Sequence, residues 1–163
     1  MTVLRSERLC AEVSGDIVVF AIGMRINRFW KIWKWLPVFL EMPGMLKEQM
    51  ADPSIGLLST RFMFGFRNIG VLQHWRNVED LQAYAHGPGR LHLGAWQRFN
   101  ARIGTSGDVG IWHETYSVPA GRMESIFVNM PAYGLGVAGK LFPAKGGRAT
   151  AAKRLRRGGD HSP

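Results

Sequence analysis

The sequence predicts an α+β fold of the ferredoxin-like kind: a four-stranded antiparallel sheet with two broken helices on one face. Three observations carry this expectation. Short runs at 16–25, 55–66, 70–76 and 109–118 have the composition of strands. Two longer segments, opening after Asn27 and Asn77, space their apolar residues three and four apart, as a helix does. Read in order, these elements give β-α-β-β-α-β, whose two helices cover one sheet face and leave the other apolar.

Each element has its own local justification. Residues 1–15 mix charged and small residues without a period and form an N-terminal arm. Asp16 to Arg25, DIVVFAIGMR, is a strand buried on both faces. Asn27 is a suitable N-cap for a helix opening at Arg28, in which Phe29, Trp30, Ile32, Trp33 and Leu36 make an aromatic face and Arg28, Lys31 and Lys34 a basic back. Pro37 and the Pro43-Gly44 pair break that helix, and Asp52-Pro53 ends it. Ile55 to Phe66 and Gly70 to Arg76 are joined by so short a connection that they pair as a hairpin.

Asn77 caps the second helix, with Glu79 and Asp80 in the first turn where the helix dipole favours negative charge. Gly87-Pro88-Gly89 interrupts it, Arg90 to Ile103 resumes it, and the break is a candidate pocket mouth. Val109 to Val118, VGIWHETYSV, is the last core strand, and Arg122 to Asn129 is an additional one. Residues 16–136 therefore form the domain, and 137–163 a Gly-rich basic tail expected to be flexible.

Charge follows the same division. Of the formal +9, residues 140–163 supply seven basic residues against one acidic, whereas residues 1–139 carry fourteen against eleven. The basicity belongs mainly to the tail, which has no interleaved aromatic residues and no groove-reading motif, so no specific nucleic-acid partner is expected. A single cysteine, Cys10, rules out an intrachain disulfide and a cysteine-based zinc cluster. No apolar run is long enough to span a membrane and none resembles a signal peptide, so the expected location is cytoplasmic. There is no HxH or HExxH spacing, no P-loop and no GxGxxG after a strand, hence no expected metal site or nucleotide cofactor.

An apolar sheet face must be covered, and a second copy of the chain is the simplest cover, which predicts a homodimer. The runs HWRNVEDLQAYAH, AWQRFN, GIWHETY and ESIFVNMP resemble the dimeric α+β barrel proteins that include antibiotic-biosynthesis-type monooxygenases. Within them they are most similar to an uncharacterised branch grouped with a fungal polyketide monooxygenase. The resemblance spans about 16–136 and implies a homodimeric barrel with an interior pocket in each protomer. It also implies chemistry drawn from a superfamily of cofactor-free oxygenases of electron-rich phenols, haem-degrading enzymes, haem-dependent aldoxime dehydratases and non-redox isomerases or cyclases.

The candidate site residues follow from strand alternation and composition. On 109–118, Ile111, His113 and Thr115 share one face and Trp112, Glu114 and Tyr116 the other, and the sequence leaves open which face is interior. An inward His113 supplies a base near neutral pH; an inward Glu114 supplies a carboxylate. His74 and Arg76 share a strand face and together can polarise a carbonyl or hold an anion. Trp30, Trp33, Trp75, Tyr84, Trp96 and Trp112 are the expected apolar walls for an aromatic or polyketide-like substrate. No cofactor is expected for oxygenase chemistry. The alternative is haem, for which His92, or His86, resembles an axial ligand by position. A third reading is a hydrophobic-ligand module without catalysis.

Overall fold

A computed structural model of the chain describes residues 4–159, with side-chain surroundings for 4–156. Its main sheet contains β2 (Ile17–Ile26), β3 (Leu57–Phe64), β4 (Asn68–Trp75) and β5 (Val109–Val118), ordered β3-β4-β2-β5 and antiparallel throughout. Helices α1 (Ile32–Ala51), α2 (Val78–His86) and α3 (Leu91–Arg102) connect the strands in the predicted order. The ferredoxin-like expectation is met. No helix among the described residues is long and apolar enough to cross a membrane.

Strand pairing fixes which side chains share a face. Leu57, Trp75, Val18 and Ser117 form one row across the sheet; Phe62, Val71, Ile22 and His113 another; Phe64, Ile69, Met24 and Ile111 a third. These rows face the helices. One core cluster gathers Val18, Ile55, Trp75, Leu81 and Tyr84, and a second gathers Met24, Ile26, Ile103 and Val109 with Phe29 and Trp35 packed against it. The clusters lie at opposite ends of the sheet.

The reverse face carries Val19, Ala21, Gly23, Leu72, His74, Trp112, Glu114 and Tyr116. Trp112 lies across Gly23, where an added Cβ would stand 2.8 Å from the Ile69 carbonyl oxygen and 2.9 Å from the indole ring. Only glycine leaves room for that ring.

Several expectations are corrected. The first helix starts at Ile32, not Arg28, and runs unbroken through Pro37 and Pro43, which leave the carbonyls of Trp33 and Phe39 without their usual amide partners. Asn27 does not cap it; its Nδ2 donates to the Gly107 carbonyl at 3.1 Å. Asn77 does cap α2, accepting the Asp80 amide hydrogen at 2.7 Å. The helix after it is broken at 87–90 as predicted.

Residues 122–129 form no strand. Phe127 only exchanges backbone hydrogen bonds with Leu9, at 2.7 and 2.8 Å. The strand partner of β1 (Leu9–Glu12) is instead β6 (Lys140–Pro143), drawn from the supposed flexible tail, after a short helix α4 (Leu135–Ala138). Arg148 then binds Glu12 at 2.6 Å with its guanidinium 4.2 Å over the Phe142 ring, and Arg154, on α5 (Ala151–Gly159), binds Glu124. Tail cations thus pair with acids far upstream, and the glycines serve as turns in a packed segment. Residues 1–3 of the predicted arm and 160–163 of the predicted tail lie outside the described residues.

Candidate functional site

Between the helix layer and the sheet, separating the two core clusters, is a cavity of about 820 Å³. Phe20, Ile22, Met24, Phe62 and Ile69 form its floor, and Val38, Phe39, Met42 and Met45 of α1 its roof. Three imidazoles line it: His113 on the edge strand β5, and His86 and His92 on either side of the break between α2 and α3. Cavities of this size and character are the usual form of a small-molecule site.

The structure resolves the face left open by alternation. Ile111, His113 and Thr115 face the cavity; Trp112, Glu114 and Tyr116 face the reverse side, where the Tyr116 hydroxyl donates to Glu114 Oε2 at 2.5 Å. That carboxylate raises the phenol's pKa. The His113 ring lies 5.7 Å from the Phe20 ring, tilted by 42°.

The two helical histidines are each oriented by backbone. His92 Nδ1 lies 3.0 Å from the Ala85 carbonyl oxygen and His86 Nδ1 3.0 Å from that of Gln82. A carbonyl oxygen only accepts, so each Nδ1 carries the hydrogen and Nε2 holds the lone pair of the neutral ring. Of the predicted substrate walls, Trp96 lines the main cavity, while Trp75 and Tyr84 line a small annex of about 40 Å³ that shares His92, Phe20 and Met45.

A chain of hydrogen bonds not expected from the sequence closes that annex. The Trp75 indole donates to Gln73 Oε1 at 3.1 Å, and Gln73 Nε2 donates to Gln49 Oε1 at 2.7 Å. Because an indole N–H only donates, the Gln73 amide orientation is fixed. The Tyr84 hydroxyl donates to Glu48 at 2.8 Å, and burial first, then Glu48, pushes its pKa well up. Gln73 and Gln49 were legible only in part: alternation puts Gln73 on the same strand face as Trp75, but nothing in the sequence pairs it with Gln49.

The remaining candidates stand elsewhere. His74 is on the reverse face, buried, with Nδ1 2.7 Å from the Ser59 hydroxyl; burial, and secondarily Arg61, lowers its pKa to about 4. Arg76 is exposed and paired with Asp80 at 2.6 Å, so the expected His74–Arg76 pair does not act on one ligand in the cavity. Trp30 and Trp33 are 69% and 68% exposed and are not cavity walls. Of the basic back predicted for the first helix, Arg28 and Lys31 converge on the buried Asp108 carboxylate and Lys34 donates to the Arg102 carbonyl. Glu114 and Trp112 are excluded from the cavity by strand register. Among the described residues, no three His, Cys, Asp or Glu side chains cluster to hold a metal ion.

Comparison with known proteins gives consistent matches. The model of the monooxygenase af470-like family matches residues 17–135. Monooxygenase af470 of Aspergillus fumigatus is 28% identical over 125 residues, covering 71% of this chain and 43% of that protein. The chain therefore spans under half the length of that relative. Among solved structures, an aldoxime dehydratase in complex with butyraldoxime superposes with a TM-score of 0.66 at 13% identity, over 93% of this chain and 42% of that one. At that identity the likeness concerns the fold. A dimeric ferredoxin-like protein of unknown function from Jannaschia sp. CCS1 gives a TM-score of 0.42 at 18% identity, over 60% and 97% of the two chains.

Proposed function

Because the chain belongs to the monooxygenase af470-like family, we propose that it is a monooxygenase-like enzyme that oxidises an apolar, ring-containing small molecule in the cavity beneath α1. The observation that carries this reading is the cavity of about 820 Å³, apolar in floor and roof and carrying imidazoles at its rim. An apolar site admits molecular oxygen and keeps bulk water from a reactive carbanion. His113 is the proposed base: deprotonating a phenol gives the electron-rich phenolate. One oxygen atom then enters the ring carbon and the other leaves as water, the substrate supplying all four electrons, so that phenol and O2 become quinone and water. Trp96, Phe20 and Met42 hold the ring.

The experiment is oxygen uptake with a panel of hydroxylated aromatics, together with product analysis. His113→Ala is expected to lower kcat by about 10²-fold or more while ligand affinity changes little. Unchanged turnover in that variant would remove His113 from the mechanism, and affinity without product across the panel would favour a binding module. We further propose that the reverse sheet face, with Ala21, Gly23 and Trp112 at its centre, pairs with a second copy. Sedimentation gives the mass directly.

One observation favours a second reading. His92 lines the cavity with Nδ1 tied to a backbone carbonyl, which leaves Nε2 as the basic nitrogen, the arrangement that suits an imidazole ligand. In this reading His92 would hold a haem iron and the apolar lining would enclose the macrocycle, which would supply redox or Lewis-acid chemistry. Addition of haem distinguishes the two: a Soret band lost in His92→Ala supports it, and no band removes it.

A further inference from the structure

The polar side chains of helix α1 gather mainly on one flank, where Lys34 donates to the Arg102 carbonyl, Glu41 accepts from Arg98 and Glu48 accepts from Tyr84. Its inner surface carries Trp35, Phe39 and the buried Leu46. Its outer surface carries Ile32, Trp33, Leu36, Leu40 and Met50, all exposed, and at 100° per residue these fall within one arc of about 100°. A surface helix ordinarily turns polar residues outward. Trp30, just before the helix, extends the patch, and so does Phe66, 86% exposed, whose ring lies 5.1 Å from that of Phe29.

We propose that this outer surface of α1 docks on an anionic lipid interface, with Trp30, Trp33, Leu36, Leu40 and Phe66 entering the headgroup layer. Charge complementarity favours lipid over a second copy. The charged side chain inside the exposed arc is Lys47, with Glu41 and Glu48 off it on the flank, so two copies of this face would oppose like charges while an anionic surface attracts it. The residue types agree: tryptophan beside lysine on a helix lying flat is the composition of an interfacial segment.

From Phe66 the chain leads through Phe64 and Phe62, stacked 5.5 Å apart and both lining the cavity. Docking would set the cavity beside the apolar phase from which a lipophilic ligand partitions. That last role rests on the monooxygenase-like reading; the docking itself does not.

The test uses the full chain with vesicles of phosphatidylcholine, with and without phosphatidylglycerol, at low and at physiological salt. Co-sedimentation with the anionic vesicles, weakened by salt, is expected, together with quenching of tryptophan emission by brominated acyl chains. In the triple variant Trp30→Ser, Trp33→Ser, Leu40→Ser, vesicle affinity is expected to fall on the order of tenfold or more, with an unchanged circular dichroism spectrum. Binding that persists unchanged in the variant assigns the attraction to basic residues elsewhere and overturns the proposal, as does absence of quenching in the wild-type protein. A wild-type dimer that dissociates in the variant without any vesicle binding identifies a second copy as the occupant. Turnover of a water-soluble phenol is expected to be the same in both proteins, so failure of docking and failure of the enzymatic reading are told apart.

Discussion

Lys31 Nζ stands 3.0 Å from both carboxylate oxygens of Asp108, a side chain only 3% exposed, and Arg28 reaches the same carboxylate at 2.6 Å. This contact sets the rotation of the chain entering α1. With the two cations drawn to Asp108, the intervening Trp30 and the following Trp33 stand exposed. Hydrogen bonding from Lys31 above all, with Arg28, holds the Asp108 carboxyl below the usual carboxylate range.

Replacing Asp108 with Asn therefore is expected to loosen the start of α1 and lower Tm by several degrees. A carboxylate with a lowered folded pKa contributes stability that is present above its unfolded value, about 3.9, and is lost as pH falls through the folded value. Thermal melts of wild type and Asp108→Asn should accordingly converge at the acid end of the range.

His74 gives a dependence of the same sign in a higher pH window. Its folded pKa of about 4, against 6.5 for the free group, means that between these values the unfolded chain binds a proton that the folded chain does not. Stability then rises with pH through that window, and is lost as pH falls from 6.5 towards 4, by up to about 3 kcal/mol. Urea titrations at pH 7 and pH 4.5 measure it. His74→Leu should flatten this part of the profile.

Cys10 reports on the folded C-terminal segment. It is fully buried, its thiol donates to the Phe142 carbonyl at 3.6 Å, and burial pushes its pKa up. In the intact chain it should resist a disulfide reagent. Truncation after Gly139 removes β6 and should speed the reaction by about tenfold or more.

Filling the cavity separates ligand binding from stability. Ala95 on α3 is nearly buried and lines the cavity. In Ala95→Phe the ring has empty apolar volume to enter, so Tm should hold or rise while affinity for an aromatic ligand falls by about tenfold or more. Calorimetric titration with a hydroxylated aromatic checks both.

The fold was legible from local pattern wherever near neighbours decide structure. The alternation in Val109–Val118, the Asn77 cap with Glu79 and Asp80 behind it, and the short link between β3 and β4 are all local, and all three elements formed as read. What was misread depended on distant partners. The spacing of Ile32, Trp33 and Leu36 defined a helical face correctly, but the direction of that face depended on Asp108, some 75 residues onward. The glycines and cations of 137–159 looked like a solvated tail because Glu12 and Glu124, which fix Arg148 and Arg154, are invisible to a local reading. The same limit governed the site. Alternation named the pair of faces containing His113 and Glu114, and only the pairing of β5 with β2, His113 beside Ile22, chose between them.

The two hydrophobic clusters are held apart by a space that the chain itself does not fill. A fold so built is an arch without its keystone: a molecule that occupies the gap touches both abutments at once and joins two half-cores into one. Occupancy should then be visible as cooperativity, a steeper as well as a later melt. Mass action alone gives about 2.7 kcal/mol at a ligand concentration a hundred times its Kd. A thermal-shift screen can thus rank unknown ligands before any reaction is identified, because whatever fits will strengthen the whole molecule.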